Sequence, residues 1–478
     1  MRVVEPHRAG SAPVPDRKRL GSWFTPPELV ERVVAGVLDE RALAELPHHR
    51  PVRVIDPACG DGRFLAAAAE RLTGSGRDVE LVGVDVDPAA CAAATQLVPG
   101  GRVVCADALR SDWRDPAVRF DLVIGNPPFL SQMASSTTRG GSSEWGGGPY
   151  ADSAVEFLGL AADLVEPDAG RVAFVLPQSI LAARDAAPIR GLYDERAEMC
   201  WSWWSPEKSF DAQVHTCALA FRFGVRHLLQ LCASPFRWTD VVTSRSGVPP
   251  SPDLESGAGG SLGDRAWLNA NFRDEYYGLV PAVGDHEDGP PLITSGLIDP
   301  GRSLWGERPV RFAKQTFTQP RVDLDRLDGK MPRWARKRLV PKVLVANQTS
   351  VVEAVCDPRG EWLPGVPVVS VYPHDHGAVW LVAALLTSPA VSAWAWNHQA
   401  GTGLSATTIR LSPVLLAELP WPADEGLLAV AATALRAGDR AACGDAVHRS
   451  FGITDSADVT EWWGRALDRI DARSVHHR

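Results

Sequence analysis

No apolar run in this 478-residue chain approaches the ~18 residues that a membrane span requires, so a membrane partner is not expected. The charged N-terminus (Arg2, Arg8, Arg17, Lys18, Arg19) has no apolar stretch behind it, and no secretory signal is read there. The eight cysteines form no Cys-x-x-Cys pair and no short even spacing. That argues against a disulfide framework or a zinc module and fits a reducing, cytoplasmic setting. Lysine is scarce, six among 49 basic residues, which with abundant Ala, Gly and Pro fits a GC-rich bacterial genome. No Gly-x-Ser-x-Gly turn follows a predicted strand, the run at Gly259 to Gly263 lying in a Ser/Gly/Pro stretch, so a Ser-His-Asp hydrolase has no support. His374-Asp375-His376 carries ligand-capable side chains but lacks further ligands at regular spacing, and no metal is expected.

The net charge of −9 argues, as an average, against a nucleic-acid partner. Local charge says otherwise: residues 301–345 hold twelve Lys/Arg against four Asp/Glu. The densest part is Arg333, Arg336, Lys337 and Arg338, with Lys342 just beyond. Such a patch is what contact with phosphates needs, although a solvated helix face has the same composition.

Residues 1–20 are Pro/Arg-rich and expected to be disordered. Thr25 and Glu28 then have the spacing of a capping box, with Pro26 at the first helical position and a stripe from Leu29 to Leu38 behind it. From residue 52, β-branched runs at 52–55, 79–84, 102–105, 120–124 and 171–176 alternate with Ala-rich helical stretches. This predicts an α/β fold, a mostly parallel sheet with helices on both faces, closed by strands at 197–204 and 214–223. A Gly/Ser loop at 131–150 interrupts it, far longer than the usual connection. The expected organisation is an arm (1–20), an α/β domain (21–224), a linker (225–264, its Ser/Gly/Pro stretch at 246–264), a mixed α+β domain (265–422) and a helical appendage (423–478).

The first chemical signal runs from Val54 through Asp56-Pro57-Ala58-Cys59-Gly60-Asp61-Gly62 into a helix. A strand, a glycine turn and a helix start present backbone N–H groups to an anionic ligand, and glycines let it approach closely. The pattern is not Gly-x-Gly-x-x-Gly, which disfavours a dinucleotide. Asp85, followed by Val86 at the end of the next strand, can accept hydrogen bonds from ribose hydroxyls. Asp107 and Ala108 end the third strand, with a carboxylate suited to an exocyclic amine, though a helix cap is an equal reading of Asp107 alone. Cys59 has nothing nearby to lower its pKa and reads as a small residue tolerated beside a ligand.

The second signal is Asn126-Pro127-Pro128-Phe129 at the end of the fourth strand. Two prolines stiffen the chain and remove donors, leaving fixed carbonyl acceptors beside the Asn126 side-chain oxygen. Acceptors that bond both hydrogens of an aromatic amine localise its lone pair, and Phe129 could stack on the ring. This is positioning and electrostatic complementarity, needing no metal and no strong base.

In order, Thr25-Pro26-Pro27, Asp56 to Gly62, Asp85, Asp107 and Asn126 to Phe129 resemble the γ-class N6-adenine DNA methyltransferases over residues 22–224. A looser resemblance extends over 290–422, in Leu292 to Gly296, Pro341 to Leu344, Leu385 to Pro389 and Leu419 to Pro422. The resemblance implies a class I methyltransferase fold, S-adenosylmethionine as cofactor near Thr25, Asp56, Ala58, Cys59, Gly60, Asp85, Val86, Asp107 and Ala108, and double-stranded DNA as partner. It also implies that 265–422 recognises the target and that Phe210, before the strand at 214–223, is a second stacking residue against a flipped base. The family more often has tyrosine where Phe129 stands; stacking survives that change and a hydroxyl role does not. With motifs beginning by residue 24, a fused N-terminal nuclease has no room, and any restriction or defence activity is expected from a separate subunit.

Three other acceptors fit the same motif: RNA adenine, cytosine N4 and a protein glutamine amide. The large C-terminal region favours DNA. A non-catalytic DNA-binding relic of the fold is the alternative from a different class, and the intact Asp56, Gly60, Asp85 and Asn126 argue against it.

Overall fold

The structure is a computed structural model that describes residues 25–110, 115, 117–129, 145–148, 151–207, 214–224, 237–271 and 273–475. The expected arm, most of the 131–150 loop and Phe210 lie outside the described residues. The chain divides into two compact units, Met1–Val241 and Val242–Arg478.

The first unit is built on a seven-stranded sheet. Its elements are α1 (Pro27–Val37), α2 (Glu40–Glu45), β1 (Val52–Asp56), α3 (Arg63–Gly74), β2 (Val79–Asp85), α4 (Pro88–Leu97), β3 (Arg102–Cys105), β4 (Leu122–Gly125), α5 (Ser153–Leu164), β5 (Arg171–Pro177), α6 (Ala187–Arg196), β6 (Ala197–Trp204) and β7 (Thr216–Phe223). The strand order is β3-β2-β1-β4-β5-β7-β6, parallel from β3 to β5, with β7 antiparallel to both β5 and β6. The expected strands are therefore all present, with ends displaced by two residues at most.

The periodic residues of α1 (Leu29, Val30, Val33, Val34, Val37) are buried against Leu65, Ala68 and Leu72 of α3 and against Val54, Leu122, Ile124, Ala173 and Ala218 of the sheet. This apolar layer fixes α1 against the sheet and α3. After β3 the chain crosses to the other side of β1 to begin β4, so the strand order reverses between β1 and β4. In such sheets, ligands bind at that reversal, beyond the carboxyl ends of the strands.

The second unit is mixed α+β. β9 (Ala266–Ala270), β12 (Lys342–Ala346), β13 (Ala354–Asp357) and β14 (Val368–Pro373) form an antiparallel sheet in the order β13-β12-β14-β9. A hairpin of β10 (Val310–Phe312) and β11 (Gln315–Phe317) and helix α7 (Met331–Arg338) share a separate apolar cluster. Two buried helices, α8 (Val379–Leu386) and α9 (Pro389–Gln399), follow.

Two expected boundaries differ from what the chain does. Residues 246–264 were expected to link domains, yet Val248, Leu254 and Leu262 are buried, and β8 (Ala258–Ser261) pairs with β15 (Pro420–Pro422). A Cβ at Gly257 would strike the backbone of Phe451, so this glycine permits close approach rather than flexibility. The helices expected as an appendage, α10 (Glu425–Arg436), α11 (Arg440–Ser450) and α12 (Ala457–Val475), bury Leu428, Leu435, Val447, Trp462 and Trp463 within this unit.

Candidate active site

The glycine turn after β1 is shaped by two residues in left-handed conformation, Gly60 (φ 53°) and Gly62 (φ 88°). A side chain at either would be strained, and Gly62 also abuts Ala94 of α4. The turn is closed by the Cys59 N–H donating to the Val84 carbonyl (2.9 Å) and the Gly62 N–H to the Cys59 carbonyl (2.8 Å). Space over Gly60 is open: a Cβ built there meets no atom within 4 Å.

Asp56 ends β1 as a fully buried carboxylate, with Oδ1 accepting from the Ala58 N–H at 3.0 Å. Burial pushes its carboxyl well above the usual carboxylate range, opposed by the Ala58 hydrogen bond and reinforced by Asp85. The carboxylate lies on the Cα of Gly125 in the neighbouring strand, in space that any side chain there would fill. Asp85 ends β2 and accepts two backbone bonds, from Gly60 N–H (2.8 Å) and Asp87 N–H (2.9 Å). Burial raises its pKa too, with both hydrogen bonds opposing. These bonds fix the carboxylate plane beside the open space at Gly60.

Val86 follows with its side chain 58% exposed, an apolar surface fit for the face of a planar ring. Asp107, at the end of β3, is half-exposed, accepts from the Leu109 N–H (3.1 Å) and lies 3.6 Å from Arg110. Ala108 beside it is buried. Cys59 is buried with its sulfur over Gly83, and burial pushes its thiol up, so it is an inert packing residue at the foot of the turn.

At the end of β4, Asn126 donates through Nδ2 to the Thr25 hydroxyl at 3.0 Å. Thr25 was expected to cap α1. The N-cap is instead Pro26, which makes no side-chain cap bond, and the Thr25 hydroxyl faces a residue 101 positions away. The Thr25 carbonyl accepts from Arg63 Nη1 (3.2 Å), while Arg63 Nε holds Asp61 Oδ2 (2.8 Å). One arginine thus joins the segment before α1 to the glycine turn. Composition gave no reason to single out Arg63; its signal was its place, first in the helix after the turn.

Pro127 is buried, Pro128 and Phe129 are half-buried, and Phe129 packs against the apolar layer beneath α1. The Pro128 carbonyl accepts from the Ser153 hydroxyl at the start of α5, another contact that no local pattern announced. Asp56, Asp85 and Asn126 are therefore brought to one mouth of the sheet by β1, β2 and β4. Together with the open glycine turn and exposed Val86, they fit an adenosyl amino acid: open backbone at Gly60 for close approach, a carboxylate for its ribose, an apolar face for its ring.

In the second unit, α7 exposes Arg333, Arg336 and Lys337. Arg338 is half-buried, its guanidinium 5.2 Å from the Trp334 ring centre and 6.0 Å from that of Trp267. Lys342 does not belong to this surface. It is fully buried on β12, opposite Asp357 on β13, with Nζ 2.5 Å from the carboxylate. The expectation of a phosphate contact there is corrected, because leaving Asp357 alone in the interior would be costly. Asp375 caps a helical turn by accepting from Gly377 N–H (2.8 Å).

Residues 14–190 match the model of the N-6 DNA Methylase family. Over 117 residues the chain is 39% identical to the type II methyltransferase M.TthHB8I of Thermus thermophilus, covering 24% of this chain and 23% of that protein. It is 30% identical over 117 residues to the type II methyltransferase M.XamI of Xanthomonas campestris pv. amaranthicola, covering 23% and 20%. A release factor glutamine methyltransferase of Bordetella pertussis is 30% identical over 131 residues, covering 26% of this chain and 46% of that enzyme. The matches thus span about a quarter or less of the two type II methyltransferases. The first unit has the class I methyltransferase fold, and its residues 14–190, well under half of the chain, are similar to the N-6 DNA methylase family.

Proposed function

We propose that this protein transfers a methyl group from S-adenosylmethionine to the N6 amine of an adenine turned out of duplex DNA, and that its second unit reads the target sequence. The observation that carries the reading is Asn126, at the end of β4 beside β1, with its amide nitrogen turned to the Thr25 hydroxyl. Its Oδ1 is the opposite end of the amide, and the reading gives it the role of accepting from a substrate amine. The Ser153 hydroxyl takes the Pro128 carbonyl, so the second acceptor is assigned to Pro127.

When bound, S-adenosylmethionine supplies an electrophilic methyl group on a sulfonium sulfur. The Asn126 oxygen and Pro127 carbonyl accept the two amine hydrogens, draw the nitrogen towards tetrahedral geometry and localise its lone pair. Phe129, held by two prolines and by the core, offers a ring face to the base without further ordering cost. Extruding a base costs a few kcal/mol, which aromatic stacking at ~1–3 kcal/mol offsets in part. Asp85 would hold the ribose, Asp107 the exocyclic amine of the cofactor, and the turn at Gly60 its carboxylate. Arg333, Arg336 and Lys337 on α7 would neutralise DNA phosphates. The type II methyltransferase relatives support a restriction–modification setting.

Asn126→Ala should abolish transfer of tritiated methyl to DNA while cofactor affinity, read by calorimetry, stays within a few-fold of wild type. This split follows because the Asn126 bond is realised in the transition state. Retained turnover would remove Asn126 from the reaction.

A further inference from the structure

The hairpin β10–β11 turns through only two residues, Ala313 (φ 49°) and Lys314 (φ 67°), and both are left-handed. Two-residue hairpin loops of this kind normally carry Asn-Gly or Asp-Gly, because a Cβ at positive φ is sterically costly. Among the described residues these are the only non-glycine positions with positive φ. An observed outlier of this sort is a pointer to function.

The hairpin is also rigidly mounted. Phe312 is buried and Phe317 packs beside it, in the apolar cluster that contains Met331, Trp334 and Ala335 of α7. Its base is held where the Thr318 N–H (3.0 Å) and Gln319 N–H (2.8 Å) donate to the Asp285 carboxylate. The other face is polar. Arg311 and Thr316 are direct cross-strand partners, both exposed, with exposed Lys314 at the tip.

Residues 308–322 contain four basic side chains and no acid. Two of the four are committed. Arg308 donates to the Gly296 carbonyl (3.1 Å), and Arg321 donates to the Gly289 carbonyl (2.7 Å) and lies 4.6 Å from the Trp305 ring centre. Among the described residues, no carboxylate lies within ion-pair distance of Arg311 or Lys314.

We infer that this hairpin enters the major groove of the target duplex and that Arg311 reads a guanine there, with Lys314 making the tip contact. A two-stranded ribbon fits the major groove, and arginine donating to guanine O6 and N7 is the commonest specific contact. The helix α7 neutralises phosphates from the same apolar mount, so base reading and phosphate contact are set in one register. Glycine at position 314 would relax the turn but has no cation to offer. The inference rests on the DNA reading proposed above, but its test needs no methyl transfer.

The experiment is selection of bound duplexes from a randomised pool by the full chain, as wild type, Arg311→Ala and Lys314→Gly, with thermal unfolding of each. Wild type should enrich a motif containing a G·C pair whose requirement Arg311→Ala relaxes at least tenfold, leaving the other positions intact. Lys314→Gly should unfold at a higher temperature than wild type yet bind the motif several-fold more weakly. An unchanged motif with Arg311→Ala, undiminished binding by Lys314→Gly, or no motif from wild type would overturn the inference. A motif found without any methyl transfer would instead overturn the proposed reaction and leave the hairpin assignment standing.

Discussion

Gly125→Ala places a methyl group against Asp56, and its cost can be worked from the geometry. The new Cβ would lie 2.8 Å from the Asp56 carboxyl carbon and closer still to Oδ1, against an ordinary contact of 3.4 Å or more. The carboxylate is fully buried and bonded to the Ala58 N–H, so it cannot move into solvent without breaking that bond. Overpacking of this kind costs about 1–3 kcal/mol, and loss of a charged hydrogen bond about 1.5–3 kcal/mol. Gly125→Ala should therefore lose roughly 2.5–6 kcal/mol of unfolding free energy, read from urea titration of the first unit's transition. Asp56→Ala removes the clashing atoms, so the double variant should be more stable than the two single losses added together, by at least ~1 kcal/mol. Additive losses would show that Asp56 does not occupy the space over Gly125.

Asp85→Ala should weaken S-adenosylmethionine binding by ~1.5–3 kcal/mol, about ten- to 150-fold, in calorimetry; unchanged affinity in a folded variant would remove it from the ribose site. Asp56→Asn tests the pH linkage. Burial raises the folded-state pKa of Asp56, so ionising it costs the fold stability progressively as pH rises from the unfolded carboxylate value, near 3.9, through the raised one. The variant should gain on wild type across that window in urea titrations, and the difference should shrink towards pH 4; a constant difference would refute the linkage. Replacing Arg336 and Lys337 with Ala should weaken DNA binding for all sequences and flatten its salt dependence, whereas Lys342→Ala should cost about 3–5 kcal/mol of the second unit's stability. A lower salt slope for a folded Lys342→Ala protein would restore Lys342 to the DNA surface.

Much of the first unit was legible because its signals are local. Strand runs, the positive-φ glycines after Asp56 and the Asn-Pro-Pro turn each declare themselves within a few residues. What escaped depended on contacts across the chain. Thr25 has the spacing of a helix cap, but its hydroxyl is taken by Asn126, which no window around residue 25 contains. Lys342 adds to a basic count, but the register of β12 sets it opposite Asp357 inside the sheet. Arg338 looks like its neighbours in sequence, but Trp267, brought near by β9, shares its guanidinium with Trp334. The Ser/Gly/Pro composition at 246–264 matched a linker because Gly257 and Gly259 are small for packing reasons, and small residues look alike whether they flex or fit.

The central claim, methylation of adenine N6 with Asn126 as the amine-orienting acceptor, is tested most directly by nucleoside analysis of duplex DNA incubated with the full chain and S-adenosylmethionine. The account predicts N6-methyladenine with wild type and none with Asn126→Ala at equal cofactor occupancy. Methyl groups on cytosine, no methylated base with wild type, or undiminished N6-methyladenine with Asn126→Ala would contradict it.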